Sequence, residues 1–307
     1  MMDTRPMTPA TLTASVIAVP PVARDASLAW NVAENVRLIR HLEAGGVTTL
    51  LYGGNAALAH VAISEYAALL SLLADAVSSR TVVVPSVGPT YGMMMDQATI
   101  LRDFPFPTVM LLPSRDATTP AGIATGLRRF VDRIERPAVL YLKQDGMVDV
   151  ETIQRMVNDG LISWIKYAIV RDNPNHDSFL KSLIDAIGPS MIVSGMGEQP
   201  AIVHLRDFGL AGFTSGCVCV APRLSMNMLK ALQVQDYATA ERIRQQFAPL
   251  ERLRDSINPV RVLHAAVALT DIADTGPITP IWSPVSESDQ HAIRLAAQDL
   301  LRMSPLS

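Results

Sequence analysis

Lysine is rare in this chain, and one of its four lysines lies in an apolar segment. Lys166 ends the run LISWIK (161–166) and is followed by YAIV (167–170), whereas Lys143, Lys181 and Lys230 have polar or helical surroundings. Burial disfavours the charged form of an amine and lowers its pKa. A neutral lysine amine is a nucleophile for carbonyl carbon. The alternative for Lys166 is structural, with a packed stem and an amine that reaches water.

Regularly spaced apolar runs surround this lysine and are typical of strands buried on both faces. There are eight, spaced roughly thirty residues apart or somewhat less late in the chain: 11–19, 47–52, 81–87, 108–112, 138–142, 161–168, 191–194 and 211–214. Between them, helical patterns cover residues 28–42, 64–77, 118–134, 150–157 and 178–187, with Ser64 as an expected N-cap. This alternation predicts an α/β protein with a (β/α)8 TIM barrel. A doubly wound open sheet is the rival, but no G-x-G-x-x-G motif follows a strand.

Helical patterns alone follow Pro222, so the strands are expected to end there. We expect residues 1–10 to be disordered or loosely attached, because this segment is polar and contains proline. Residues 11–235 are predicted to form the barrel. Residues 236–307 are predicted to form a small C-terminal helical extension.

Residues that can carry chemistry gather at the predicted C-terminal ends of the strands, where TIM barrels place their active sites. They are Gly53, Gly54 and Asn55 after the second strand, Tyr141 in the fifth, Lys166 in the sixth, Gly195 after the seventh and Ser215 after the eighth. Such a set suits carbonyl chemistry, with the lysine forming an imine, the phenol moving protons and backbone N–H groups near glycine binding a carboxylate. The structural alternatives are an interior phenol for Tyr141 and a tight turn for residues 53–55.

Several motifs, in the same order along the chain, resemble those of the dihydrodipicolinate synthase and N-acetylneuraminate lyase family of class I pyruvate-dependent aldolases. VLY (139–141) is similar to the family segment with the proton-carrying tyrosine, and ISWIK (162–166) resembles the segment whose lysine forms the Schiff base. SG (194–195), GFTSG (212–216), AP (221–222) and NPVR (258–261) resemble later family motifs. The resemblance spans residues 11 to about 284. It implies a lyase or synthase for pyruvate or a related 2-oxo acid that requires no metal or organic cofactor.

Positions that select the substrate in the family differ here. The family has adjacent hydroxyls after strand two, but alanines follow Asn55 in this chain. No arginine comes shortly after Tyr141; Lys143 lies there and is interpreted as a rim lysine for an acidic substrate, or less favourably as the nucleophile. The tyrosine expected after strand four is absent, and Arg115 is a candidate substrate or subunit contact near that position. The Schiff-base pair is therefore predicted without the usual substrate-selecting residues.

Two classes of function remain open at this point. The first is lysine-imine chemistry, which covers aldol cleavage or formation, dehydration, and strict 4-hydroxy-tetrahydrodipicolinate (dihydrodipicolinate) synthase activity. The missing arginine and hydroxyl pair count against the last of these. The second class is a non-catalytic barrel that binds a small carboxylate. A buried amine without a task has an energetic cost, which counts against that class.

Composition restricts the partners. A net charge of −3 provides no basic surface for nucleic acid. No apolar run is long enough to cross a membrane, and the first residues lack a signal-peptide pattern, so we expect a cytoplasmic protein. The family resemblance implies a homotetramer or homodimer. The apolar stretch PTYGMMM (89–95), expected to be a loop, is a candidate subunit contact.

Four further residues are assigned structural roles. Cys217 and Cys219 are one residue apart and provide neither a disulfide framework nor a zinc site, so they are expected to be small buried hydrophobes. Glu198 and His204 are expected to be helix-start and surface residues.

Overall fold

The structure is a computed structural model that describes residues 2–114 and 118–304. Its strands all pair in parallel. They are β1 (Ile17–Ala18), β2 (Thr49–Leu51), β3 (Val82–Val84), β4 (Ser86–Val87), β5 (Met110–Leu111), β6 (Ala138–Leu142), β7 (Ile162–Tyr167), β8 (Ile192–Ser194) and β9 (Gly212–Ser215). The spatial order is β3-β2-β1-β9-β8-β7-β6-β5-β4. Because β3 and β4 are one chain segment divided at Pro85, the sheet closes on itself and the predicted (β/α)8 TIM barrel is confirmed.

Helices alternate with the strands and then continue alone. They are α1 (Pro9–Ala14), α2 (Val32–Ala44), α3 (Ile63–Ala76), α4 (Tyr91–Leu101), α5 (Pro120–Ile134), α6 (Val150–Asn158), α7 (Ser178–Ile187), α8 (Ala201–Arg206), α9 (Pro222–Gln233), α10 (Tyr237–Ser256), α11 (Pro259–Leu269) and α12 (Glu287–Arg302). Side-chain caps begin several of them, as Thr119 does for α5 and Asp177 for α7. The predicted cap at Ser64 is wrong, because α3 begins at Ile63 and its N-cap, Ala62, makes no side-chain hydrogen bond.

The first predicted strand, residues 11–19, is helical in its first half. Thr8 and Thr11 form a capping box, and Pro9 occupies the first helical position, so residues 9–14 form α1 before the two-residue strand β1. Leu12 of α1 packs into the barrel interior. The preceding segment also contacts the barrel, since Met2 is buried and the Asp3 N–H donates to the Thr81 carbonyl at 3.0 Å.

Alternation along the strands sorts side chains between two cores. Val139 and Trp164 belong to the cluster inside the barrel, whereas Leu140 and Ile165 belong to the larger cluster between the barrel and its helices. Side chains two residues apart on a strand share a face. Tyr141 and Lys166 therefore face the barrel interior together with Val139 and Trp164.

Helices α10, α11 and α12 follow the barrel and pack on one another, and α10 also packs on α9. The stretch 89–95 is also helical from Tyr91 onward, so the loop expected there is wrong. None of the helices in residues 2–114 and 118–304 combines the length and apolar character needed to cross a membrane.

Candidate active site

A cavity of about 670 Å³ opens at the C-terminal ends of the strands. Its walls combine several of the predicted residues, including Gly54, Asn55, Tyr141, Lys143, Lys166 and Gly195. The fold brings these residues together from strand ends that are far apart in the sequence, as parallel strands in a barrel require.

Lys166 lines this cavity and is only 5% exposed. Burial, the charge of Lys143 and the charge of Arg254 lower the pKa of its amine from 10.5 to about 7. A large fraction of the amine is therefore neutral near pH 7, which is the state that attacks a carbonyl. Lys143 is exposed at the rim of the cavity, where its charge favours the neutral form of Lys166.

Tyr141 is the strand neighbour of Lys166, because the register of β6 and β7 pairs these two residues directly. The Lys166 Nζ lies 4.6 Å from the centre of the Tyr141 ring. Burial raises the pKa of the Tyr141 hydroxyl to about 12, so the phenol is protonated at neutral pH. The arrangement places a proton donor next to the amine.

Gly195 is required by close packing against the lysine. A Cβ at this position would lie 2.8 Å from Ala168 Cβ, 2.9 Å from the Tyr167 carbonyl oxygen and 3.0 Å from Lys166 Cγ. The backbone after β8 therefore lies directly against the stem of Lys166, and a larger residue would displace it.

The remaining predicted binding residues occupy different positions. Asn55 lines the cavity, but its side-chain amide donates to the Val19 carbonyl at 2.8 Å and is partly occupied by that bond. Gly53 is buried behind the wall, where a Cβ would lie 2.7 Å from Met110 Cε. Ser215 is also buried away from the cavity, and its hydroxyl donates to Glu198 Oε2 at 2.8 Å. Arg115 lies outside the described residues.

Glu198 and His204 are not surface residues, so that expectation is wrong. Both are buried, and His204 shares a 2.8 Å hydrogen bond with Ser194. Glu198 Oε1 accepts from the Ser225 hydroxyl at 2.7 Å, and its backbone N–H donates to Glu251 Oε1 at 2.8 Å. Tertiary packing of α9 and α10 over the barrel encloses these groups, which no local pattern indicates.

Two charged residues of α10 reach the cavity although they follow the barrel in sequence. Glu251 and Arg254 are three residues apart on one helix face, and both line the cavity. Burial raises the pKa of both Glu251 and Glu198, and the charge of Glu198 raises the pKa of Glu251 further. Sequence reasoning missed Arg254, because nothing in the sequence connects this helix to the mouth of the barrel.

The two cysteines lie directly after β9. Cys217 and Cys219 are free and buried, as expected, and burial raises the pKa of both thiols. Across residues 2–114 and 118–304, no group of three or more His, Cys, Asp or Glu side chains is arranged to hold a metal ion.

Comparison with known proteins identifies the fold. No protein-family model matches the sequence, and no curated protein matches it either. Among solved structures, dihydrodipicolinate synthase from Agrobacterium tumefaciens superposes with a TM-score of 0.83 at 16% identity, covering 95% of this chain and 99% of that one. The chain has the fold of the dihydrodipicolinate synthases.

Two further structures support this identification. Dihydrodipicolinate synthase from Bacillus clausii has a TM-score of 0.81 at 19% identity, and the match covers 92% of this chain and 97% of that one. A prophage protein of the dihydrodipicolinic acid synthase family from E. coli K12, solved with pyruvate, has a TM-score of 0.79 at 20% identity, with 93% and 98% covered. The match therefore extends beyond the barrel into the helices that follow it.

Proposed function

We propose that this chain belongs to the dihydrodipicolinate synthase and N-acetylneuraminate lyase family and is a lyase or synthase for pyruvate or a related 2-oxo acid. Lys166 forms a Schiff base with the carbonyl of the substrate. The observation that carries the proposal is a buried lysine with a pKa of about 7 beside Tyr141, at the catalytic end of a barrel of this fold.

The first step uses the neutral amine. Lys166 attacks the C2 carbonyl of the 2-oxo acid, and loss of water gives an iminium ion. The iminium withdraws electrons from C3. A proton is therefore lost from C3 more easily, and the carbon–carbon bond between C3 and C4 is more easily broken. A leaving group on the carbon next to C3 is also expelled more easily. Hydrolysis of the imine then returns the free lysine and the product.

Tyr141 moves protons during these steps. Its hydroxyl is protonated at neutral pH and belongs to the strand neighbour of Lys166. Once the imine has formed, it can donate a proton to the substrate or to a departing group and recover a proton from water before the next turnover. The Gly54 and Asn55 backbone N–H groups provide the site for the carboxylate of the 2-oxo acid.

Borohydride trapping with pyruvate tests the proposal. Reduction of the imine links the substrate carbons to the lysine permanently, and intact mass and peptide mapping locate the added mass. We expect modification of Lys166, no modification in Lys166→Ala, and retained modification in Lys143→Ala as the matched lysine control. Trapping that is lost with Lys143 and retained without Lys166 would assign the nucleophile to Lys143.

Strict dihydrodipicolinate synthase activity is expected to be poor. The family arginine after Tyr141 is absent, and a charged hydrogen bond to a carboxylate is worth about 1.5–3 kcal/mol. Its loss costs on the order of a hundredfold in selectivity. We expect little condensation of pyruvate with aspartate semialdehyde in a coupled reductase assay. Turnover near a typical value of about 10 per second would contradict this expectation.

A further inference from the structure

Arg254 is a charged group of the cavity that the Schiff-base steps do not use. It projects from α10, lines the cavity, and is close enough to Lys166 for its charge to act on that amine. It lies over the end of β9, because a Cβ at Gly216 would be 2.8 Å from its Nη2 and 2.9 Å from its Cζ. The guanidinium therefore lies directly against a backbone without a side chain.

Neutral acceptors hold this guanidinium in place. Its Nε donates to the Pro259 carbonyl at 3.4 Å, and its Nη1 contacts Cys217 Sγ at 3.9 Å. No carboxylate oxygen of the described residues lies within 4.0 Å of its nitrogens. The carboxyls of Glu198 and Glu251 act on Arg254 through their charge without an ion-pair contact. Both are buried, and burial raises their pKa values and favours proton retention.

The other arginine of the cavity differs in this respect. Arg171 forms an ion pair with Asp177, with 3.0 Å between Nη2 and Oδ1, and a second one with Asp145, with 2.7 Å between Nη2 and Oδ1. Two carboxylates thus offset the charge of Arg171. Arg254 has the same planar guanidinium but forms no ion pair with a carboxylate of the described residues. A guanidinium binds a carboxylate best, because its two parallel N–H groups match the two carboxylate oxygens.

The strand order separates Arg254 from the other two binding points. Around the barrel, β7 carries Lys166, β9 ends beneath Arg254, and the turn after β2 contains Gly54, with one strand between each successive pair of these strands. A 2-oxo acid whose carbonyl is at Lys166 and whose C1 carboxylate is at Gly54 still leaves Arg254 without an anion. We infer that Arg254 binds a second, distal carboxylate, and that the substrates of this site are 2-oxo dicarboxylic acids. This inference rests on the proposed function for the position of the carbonyl.

Inert ligands test Arg254 without requiring an imine. Glutarate has two carboxylates and butyrate has one, and neither has a carbonyl that can react. By titration calorimetry on the full-length protein, we expect Arg254→Gln to weaken glutarate binding about tenfold to a hundredfold and butyrate less than about threefold. Arg252→Gln, an exposed arginine on the same helix, is the matched control and is expected to change neither.

Two further variants separate a lost contact from a damaged fold. Arg254→Lys retains the positive charge but loses the paired N–H donors of the guanidinium. We therefore expect its glutarate affinity to lie between those of the wild type and Arg254→Gln. Gly216→Ala is compatible with the backbone, which has φ −87° and ψ −41°, but its methyl group displaces the guanidinium. We expect it to weaken glutarate more than butyrate while thermal unfolding is retained.

The outcomes distinguish this inference from the proposed function. Equal weakening of both ligands by Arg254→Gln would show that Arg254 binds the shared carboxylate. The inference would also be overturned if the wild type did not bind glutarate detectably. It would be overturned as well if Lys143→Met weakened glutarate binding and Arg254→Gln did not. Borohydride trapping of the same variants with pyruvate and with 2-oxoglutarate reports on the imine separately. Failure of trapping in the wild type would overturn the Schiff base, whereas the glutarate result would still decide the role of Arg254.

Discussion

The decisive property at the residue scale is the environment of one amine. Lys166 follows an apolar run, faces the barrel interior and lies beside Tyr141, and burial is the largest cause of its lowered pKa. The same burial destabilises the fold when the amine is charged. A fall in pKa from 10.5 to about 7 corresponds to at most about 5 kcal/mol. A lysine held at this cost is typical of a functional site.

We predict that imine formation depends on pH with a midpoint near 7. The neutral amine reacts, so the rate should rise as pH increases through the folded pKa of about 7 and then level off. At an unshifted pKa, roughly one amine in three thousand would be neutral at pH 7. Initial rates of borohydride trapping with pyruvate from pH 5.5 to 9.5 measure the midpoint.

Lys143→Met supplies the control for this profile. The charge of Lys143 contributes to the lowered pKa of Lys166, so its removal should move the midpoint to higher pH. A wild-type rate that still rises above pH 9.5 would show that the amine is not shifted.

Lys166→Met is expected to stabilise the protein. The unfolded state binds a proton up to pH 10.5 and the folded state only up to about pH 7, so wild-type stability rises with pH between these values. The gain from the substitution should therefore be largest below pH 7 and shrink toward pH 10.5. Urea unfolding at pH 6, 8 and 9.5 measures it, and Lys181→Met on α7, whose lysine lies on the exposed side of the helix, is the control.

Tyr141→Phe is expected to separate imine formation from turnover. The substitution keeps the ring under Lys166 and removes the hydroxyl, so trapping with pyruvate should change little. Proton transfer by a positioned side chain contributes about 10²–10⁴-fold, and kcat with an accepted substrate should fall by that order. Equal loss of trapping and turnover would place the role of Tyr141 before the imine.

The backbone of the loop after β8 and the approach of α10 determine the shape of the site at the element scale. Gly195 allows the loop to lie against the lysine stem, and Gly216 allows the guanidinium of Arg254 to lie against the end of β9. Both glycines are needed for close approach, and neither has a positive φ. Small residues at these strand ends thus decide which side chains can enter the cavity.

Gly195→Ala is expected to lower both stability and reactivity. The new methyl group meets the Tyr167 carbonyl as well as the lysine stem, and a backbone oxygen cannot move aside as a side chain can. Overpacking of this kind costs about 1–3 kcal/mol. Chemical unfolding and pyruvate trapping measure the two effects. Gly92→Ala on α4, where a Cβ meets nothing within 4 Å, is the control and should leave stability unchanged or slightly raised.

At the scale of the whole molecule, the barrel and the helices α10 and α11 form the cavity together. The cavity takes its lysine and phenol from the barrel and Glu251 and Arg254 from α10. Removal of the helices after α9 would therefore open one wall of the cavity as well as expose the buried face of α9.

We predict that the protein is a homodimer or homotetramer. Tyr91 at the start of α4 is 48% exposed and is an apolar side chain that a subunit contact would cover. Multi-angle light scattering at micromolar concentration should give at least twice the chain mass of 33.2 kDa. Tyr91→Glu should lower that mass, whereas Tyr237→Glu on α10 is a control away from α4. A wild-type monomer would contradict the prediction.

Local patterns in the sequence determined the architecture and the placement of Tyr141 beside Lys166. Apolar runs of strand length predicted the barrel, and a period of two along each strand directs Tyr141 and Lys166 inward beside Val139 and Trp164. Patterns were less informative at the first strand, where β-branched residues occur in a helix that Thr8 and Pro9 initiate. A helix cap depends on hydrogen bonds made by only one or two residues. The number of apolar residues in a longer segment therefore does not reveal where the helix begins.

Tertiary structure alone decided which charges surround the lysine. Arg254 reaches the cavity, and Glu198 and His204 are buried, because α9 and α10 pack over the end of the barrel. These contacts join residues that are more than fifty positions apart, such as Glu198 and Glu251. Periodicity reports which face of an element is apolar, but the position of a helix end over a cavity depends on the packing of the whole chain.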